Sequence, residues 1–89
     1  MANWPSKRAA EVLDYSVDWS AVLAEDGDTI TTATWIVPVG LTKGDEQLES
    51  GVMTVMLSGG TAQTTYSITS RIATAGGRTH ERVNSLAVT

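Results

Sequence analysis

Asp14, Ser16 and Asp18 recur at every second position of the stretch DYSVDWS, with Tyr15, Val17 and Trp19 between them. Carboxylates in such a run suit either a calcium loop or a general acid–base pair. A calcium loop opening at Asp14 would use Ser16 and Asp18 as its third and fifth positions and Glu25 as its twelfth. Its sixth position needs glycine for a sharp turn and here holds Trp19. An acid–base pair needs two carboxyls close together and shielded from water. On an extended chain rising ~3.3 Å per residue, Asp14 and Asp18 stand roughly 13 Å apart and both face solvent. The pattern therefore reads as the wet face of a half-buried strand, with Leu13, Tyr15, Val17 and Trp19 turned inward.

The remaining polar groups are equally poor material for catalysis. EDGDT, residues 25 to 29, offers too few oxygens for a calcium ion that takes six or more, and reads as a turn. His80 is the one histidine, set between Arg78 and Arg82 at strand spacing, and with no cysteine in the chain it anchors no zinc site of the usual kind. No serine or threonine sits in a nucleophile elbow beside a base, and LSGGT lacks the lysine and following helix of a phosphate loop. The expectation is a protein that is not an enzyme and holds no metal or cofactor.

The whole chain bounds what can position any site. Its 89 residues suffice for one small domain, and 42% apolar with 18% charged residues is a globular composition. Without cysteine, stability must come from packing. No apolar run approaches the ~18 residues of a membrane span, and MANWPSKRAAEV shows no signal-peptide core, so a soluble protein made in the cytoplasm is expected. A net charge of −4 argues against nucleic-acid binding, which relies on clustered Lys and Arg. Between Ala9 and Glu49 nine acidic residues face Lys43 alone, whereas after Ser50 Arg71, Arg78 and Arg82 face only Glu81. An acidic first half is thus joined to a mildly basic second half.

Period-two patterning predicts the elements. Residues 13 to 19 form a strand and AEDGD a turn. TITTATWIVP forms a second strand with Trp35 and Val37 inward, bent near Thr32 because Ile30 falls on the other parity. Residues 40 to 51 read as a loop with a short edge strand, carrying Leu48 as their one weak apolar position, and VMTVMLSGG as a further strand. The C-terminal part reads as two long arms around Gly76-Gly77, a tight hairpin in which both glycines can take positive φ. Tyr66, Ile68 and Ile72 share a face of the first arm, Leu86 and Val88 a face of the second, and Val83, out of step, implies a register change near Asn84. About seven short strands and no convincing helix predict an all-β fold, an immunoglobulin-like or fibronectin type III-like β-sandwich. Tyr66 stands where such folds carry a tyrosine corner. Residues 11 to 89 are assigned to that domain and residues 1 to 10 to an N-terminal arm.

The order EVLDYSVDWSAVL, then DTITTATWIVP, then LSGGTAQTTYSITSRIATAGGRTHERVNSLAV resembles the small bacteriophage proteins called fibre-tail adaptors, from about Glu11 to Val88. The resemblance implies a one-domain virion component seated between the tail or neck machinery and an appendage, with other virion proteins as partners. If copies form a ring, each interface is heterologous, and Arg71, Arg78 and Arg82 of one subunit would meet Asp14, Asp18 or Asp28 of the next or of another virion protein. The alternative is that both charge sets only keep a monomer soluble. Trp4 is a further candidate contact, with the competing reading that it folds back over the open end of the core. A free-standing immunoglobulin-like module, such as a head decoration or adhesion domain, is the other functional class. Carbohydrate binding is disfavoured because Tyr15, Trp19, Trp35 and Tyr66 look inward rather than forming a platform.

Overall fold

The structure is a computed structural model that describes residues 2 to 89. Seven strands and one short helix follow in the order β1 Ala2–Asn3, β2 Leu13–Asp18, α1 Ser20–Asp26, β3 Ile30–Ile36, β4 Leu41–Glu49, β5 Val52–Gly59, β6 Thr64–Thr74 and β7 Thr79–Val88. They form a four-stranded sheet ordered β1-β7-β6-β3 and a three-stranded sheet ordered β2-β5-β4. All pairings are antiparallel except β1 with β7. The all-β expectation is met.

Alternation along each strand turns one face of each sheet toward a shared core. Tyr15, Val17, Met53, Val55, Leu57 and Leu41 come from the three-stranded sheet, and Trp35, Tyr66, Ile68, Ile72, Leu86 and Val88 from the other. Trp19 closes the end of β2 and is 2% exposed. The interleaved Asp14, Ser16 and Asp18 are exposed, as the alternation requires. The bend expected near Thr32 is present as a register shift between Ile30 and Thr32. At Tyr66 the hydroxyl accepts the Thr61 N–H at 2.9 Å, tying the β5–β6 loop to the strand that follows it as a tyrosine corner would.

Four local expectations need correction. A helix, α1, occupies Ser20–Asp26, where the sequence suggests no helix and sets a turn at AEDGD. Its seven residues are too few for a 3.6-residue period to show, yet it has a defined start and stop. The Asp18 carboxylate accepts the Ser20 N–H at 2.8 Å, and Gly27, at φ 60°, takes the left-handed conformation that ends the helix. Val22 and Leu23 rest on the core. The edge strand expected within residues 40 to 51 is longer than foreseen and leaves little loop: β4 runs nine residues, with a register shift between Lys43 and Glu46 that absorbs Gly44 and Asp45. Its conformation is set by pairing with β5, since only Leu41 among its side chains is buried.

The tight hairpin with positive φ at both central residues lies at Ser50 and Gly51 (φ 51° and 81°), between the paired Glu49 and Val52. Around Gly76-Gly77 the arms are joined as expected, but by a longer connection in which only Gly77 has positive φ. No register change occurs near Asn84: β6 and β7 pair without interruption from Thr64 with Val88 to Ala73 with Thr79. The inward residue there is the buried Asn84 itself, so Val83 points outward in normal alternation.

Candidate functional site

Among the described residues no three His, Asp or Glu side chains converge on a point where a metal could sit. The charged and aromatic residues singled out as interface candidates are spread over several elements, and most hold partners within the chain. At the hairpin tip, the Asp28 carboxylate accepts the N–H groups of Thr29 and Gly76, each at 2.9 Å, and the Arg78 guanidinium at 3.1 Å. Its side chain is 6% exposed. The acidic EDGDT turn thus uses this carboxylate to clasp the β6–β7 connection to the start of β3; the side chain of Asp26 in that turn lies outside the described residues.

Hydrogen bonds from the Thr74 hydroxyl above all, then from the Thr29 and Gly76 N–H groups and Arg78, pull the Asp28 carboxyl down to about 2 against the opposing effect of burial. A carboxyl with a depressed folded-state value stabilises the fold above its unfolded value of ~3.9 and loses that contribution as pH falls toward the folded value. Between about pH 4 and pH 2, therefore, the clasp weakens. Asp28→Asn is expected to lower the melting temperature at pH 7 and to differ much less from the wild type at pH 2. Equal gaps at both pH values in thermal melts would refute the assignment.

A second junction joins the sheets at Trp19. Its Nε1–H donates to the Met53 sulfur at 3.2 Å, the Arg82 guanidinium lies 4.4 Å from its ring centroid, and the His80 ring is tilted 6.1 Å away. Arg82 Nη1 also donates to the Asp18 carbonyl at 2.9 Å. Hydrogen bonds from Ser20, from its hydroxyl first and then its N–H, hold the Asp18 carboxyl below the usual range, with Arg82 assisting. Arg71 forms an ion pair with Glu81, opposite it on β7. All three arginines proposed for docking thus have partners in their own chain.

Trp4 is half-buried, stacked on Tyr15 with ring centroids 4.8 Å apart and 6.1 Å from the Trp35 ring. It thus packs against the core of its own chain. Sequence reasoning missed Lys7, which is 0% exposed. Its ammonium donates to the carbonyls of Gly59 at 2.6 Å, Arg8 at 2.8 Å and Ala9 at 3.4 Å. No sequence signal marks it, because Gly59 lies 52 residues away.

The outer face of the three-stranded sheet is one surface open to solvent. Asp14 and Asp18 stand opposite Met56 and Val52 of β5, and Glu49 of β4 is opposite Val52 from the other side. Asp45 and Gln47 line a shallow groove there with Asp14, Thr54 and Met56. Among the described residues Asp14, Asp18, Asp45 and Glu49 form no ion pair, so this face is acidic. Among the described residues no helix is long and apolar enough to cross a membrane. No curated protein matches the chain. A family model described as Podophage GP4 fiber-tail adaptor protein gp77 matches residues 7–87.

Proposed function

The chain belongs to the podophage fiber-tail adaptor family, and from that premise we propose that it is a non-enzymatic virion part that joins a tail fibre to the tail or neck by docking on both. The observation that carries the reading is the family match along residues 7–87, which runs from before β2 to the penultimate residue of β7. The physical properties suit the role. A core drawn from both sheets and two clasped junctions make a stiff body, while edge strands and an acidic face remain outside.

Copies placed around the tail axis would present Asp14 and Asp18 to a basic surface on a neighbour. Arg71, Arg78 and Arg82 would take part in such contacts as pairs already formed, and so contribute shape more than free charge. The test is gold-tagged antibody against this chain on intact particles, viewed by electron microscopy. Label where fibres join the tail, and fibreless particles when the gene is deleted, are the expected results. Particles that contain none of the chain, or that keep their fibres without it, would remove the reading.

A further inference from the structure

A sheet ends in strands whose outer backbone N–H and C=O groups are offered to whatever lies beyond. Here β1 and β3 end one sheet and β2 and β4 the other. Three of these edges carry features that keep another chain away. β1 is two residues long, β2 bears Asp14 and Asp18, and β4 bears Lys43, Asp45, Glu46 and Glu49 together with its register shift. β3, ITTATWI, has no charge and no proline, and its Thr32, Thr34 and Ile36 are exposed on one face. Among the described residues its backbone pairs with β6 alone.

We propose that β3 is a self-association edge, pairing antiparallel with β3 of a second copy of this chain across a twofold axis and so joining two four-stranded sheets. Centred on Thr34, this register sets Thr34 opposite its own counterpart, Thr32 opposite Ile36 of the copy, and Ala33 opposite Trp35 of the copy. A smaller side chain meets a larger one on either side of the centre, and β-branched residues face each other on the exposed side. The bulge at Ile30/Thr32 and Pro38 bound the pairing at its two ends.

Charge selects the occupant. The same operation on β2, centred on Ser16, would set Asp14 directly against Asp18 of the copy, which like charges disfavour. On the partner strand of β3 the opposed charge is Arg71, opposite Thr34 on β6 and already paired with Glu81. Two copies of Arg71 would stand three strand spacings apart, roughly 14 Å, beyond the ~8–10 Å over which exposed charges interact at moderate salt. The proposal goes beyond the adaptor reading and is tested on the purified chain alone.

Because the chain has no cysteine, one introduced thiol reports the register. Opposed residues of an antiparallel pair have Cα atoms about 4.5–5.5 Å apart, within disulfide reach. Thr34→Cys is expected to form a disulfide dimer rapidly under mild oxidation, and Ser16→Cys, also exposed but on β2, to do so far more slowly. Sedimentation of the wild type is expected to show dimerisation with a Kd in the micromolar range, as small interfaces give. Thr34→Lys should raise that Kd by about 100-fold or more through like-charge contact at the centre. A wild type that stays monomeric up to about 1 mM, association that survives Thr34→Lys, or crosslinking of Thr34→Cys no faster than Ser16→Cys would each overturn the proposal.

Discussion

Lys7→Met is expected to destabilise the fold by about 3 kcal/mol, although methionine keeps nearly the volume and all the flexibility of the lysine stem. Replacing a buried charge with an apolar group is often harmless when both partners of a pair are replaced together. That route is closed here, because the acceptors are the main-chain carbonyls of Arg8, Ala9 and Gly59 and no mutation removes them. Once the ammonium is gone, the half-buried Gly59 carbonyl in particular loses a 2.6 Å partner, at a lysine side chain that is itself fully covered. A buried acceptor left unsatisfied costs about 1–3 kcal/mol, and charge-assisted bonds lie toward the upper end of hydrogen-bond strengths.

The same substitution at Lys43 provides the contrast. Its ammonium pairs with Glu46 at 2.8 Å while 38% of its side chain is exposed, so Lys43→Met should cost less than about 1 kcal/mol. Urea unfolding of the two variants beside the wild type measures both changes. A Lys7→Met variant as stable as Lys43→Met would mean that the ammonium does not tie residues 7 to 9 to the corner at Gly59.

Lys7 also shows where sequence reading stops. Alternation is a local signal, and it placed β2, the inward Tyr15, Val17 and Trp19, the exposed Asp14 and Asp18, the bend near Thr32 and the long C-terminal arms. Each of those follows from side chains two positions apart facing the same way. Long-range partnerships leave no such trace: Arg82 reaches Asp18 across 64 residues and Arg78 reaches Asp28 across 50. The charges expected to form an acidic and a basic half are interleaved in space by the fold. The full length of β4 escaped for a related reason, because its strand conformation is imposed by β5 while most of its own residues read as turn formers. α1 escaped because it is shorter than the window in which helical periodicity becomes visible.

The family resemblance could be recognised from motif order because it rests on residues in sequence, and the match to residues 7–87 bears it out. The interface itself could not be recognised in the same way. Exposure, which is what a partner reads, depends on which carboxylates find donors inside the chain. Asp28 does, whereas Asp14 lies open on β2.

Trp19→Ala should have the largest effect of any single change. The ring is 2% exposed where α1 leaves β2, and it is held by Met53 of one sheet and by Arg82 and His80 of the other. Truncating a buried tryptophan costs about 3–5 kcal/mol, against a total stability of roughly 4–13 kcal/mol for a chain of this length. At about 4–8 °C per kcal/mol for a domain this small, the melting temperature should fall by roughly 12–40 °C. Trp19→Phe separates the contributions. It keeps an aromatic face beneath Arg82 and loses the Nε1–H bond to sulfur together with part of the volume, so its cost should be well under half that of alanine. Arg82→Met removes the cation and the bond to the Asp18 carbonyl but leaves an apolar cover, and about 1 kcal/mol is expected. If Trp19→Ala and Arg82→Met proved equally damaging, the cation would be what holds the junction and the ring only its platform. A large gap between them makes packing of the indole the main bond between the two sheets, with the arginine as its lid.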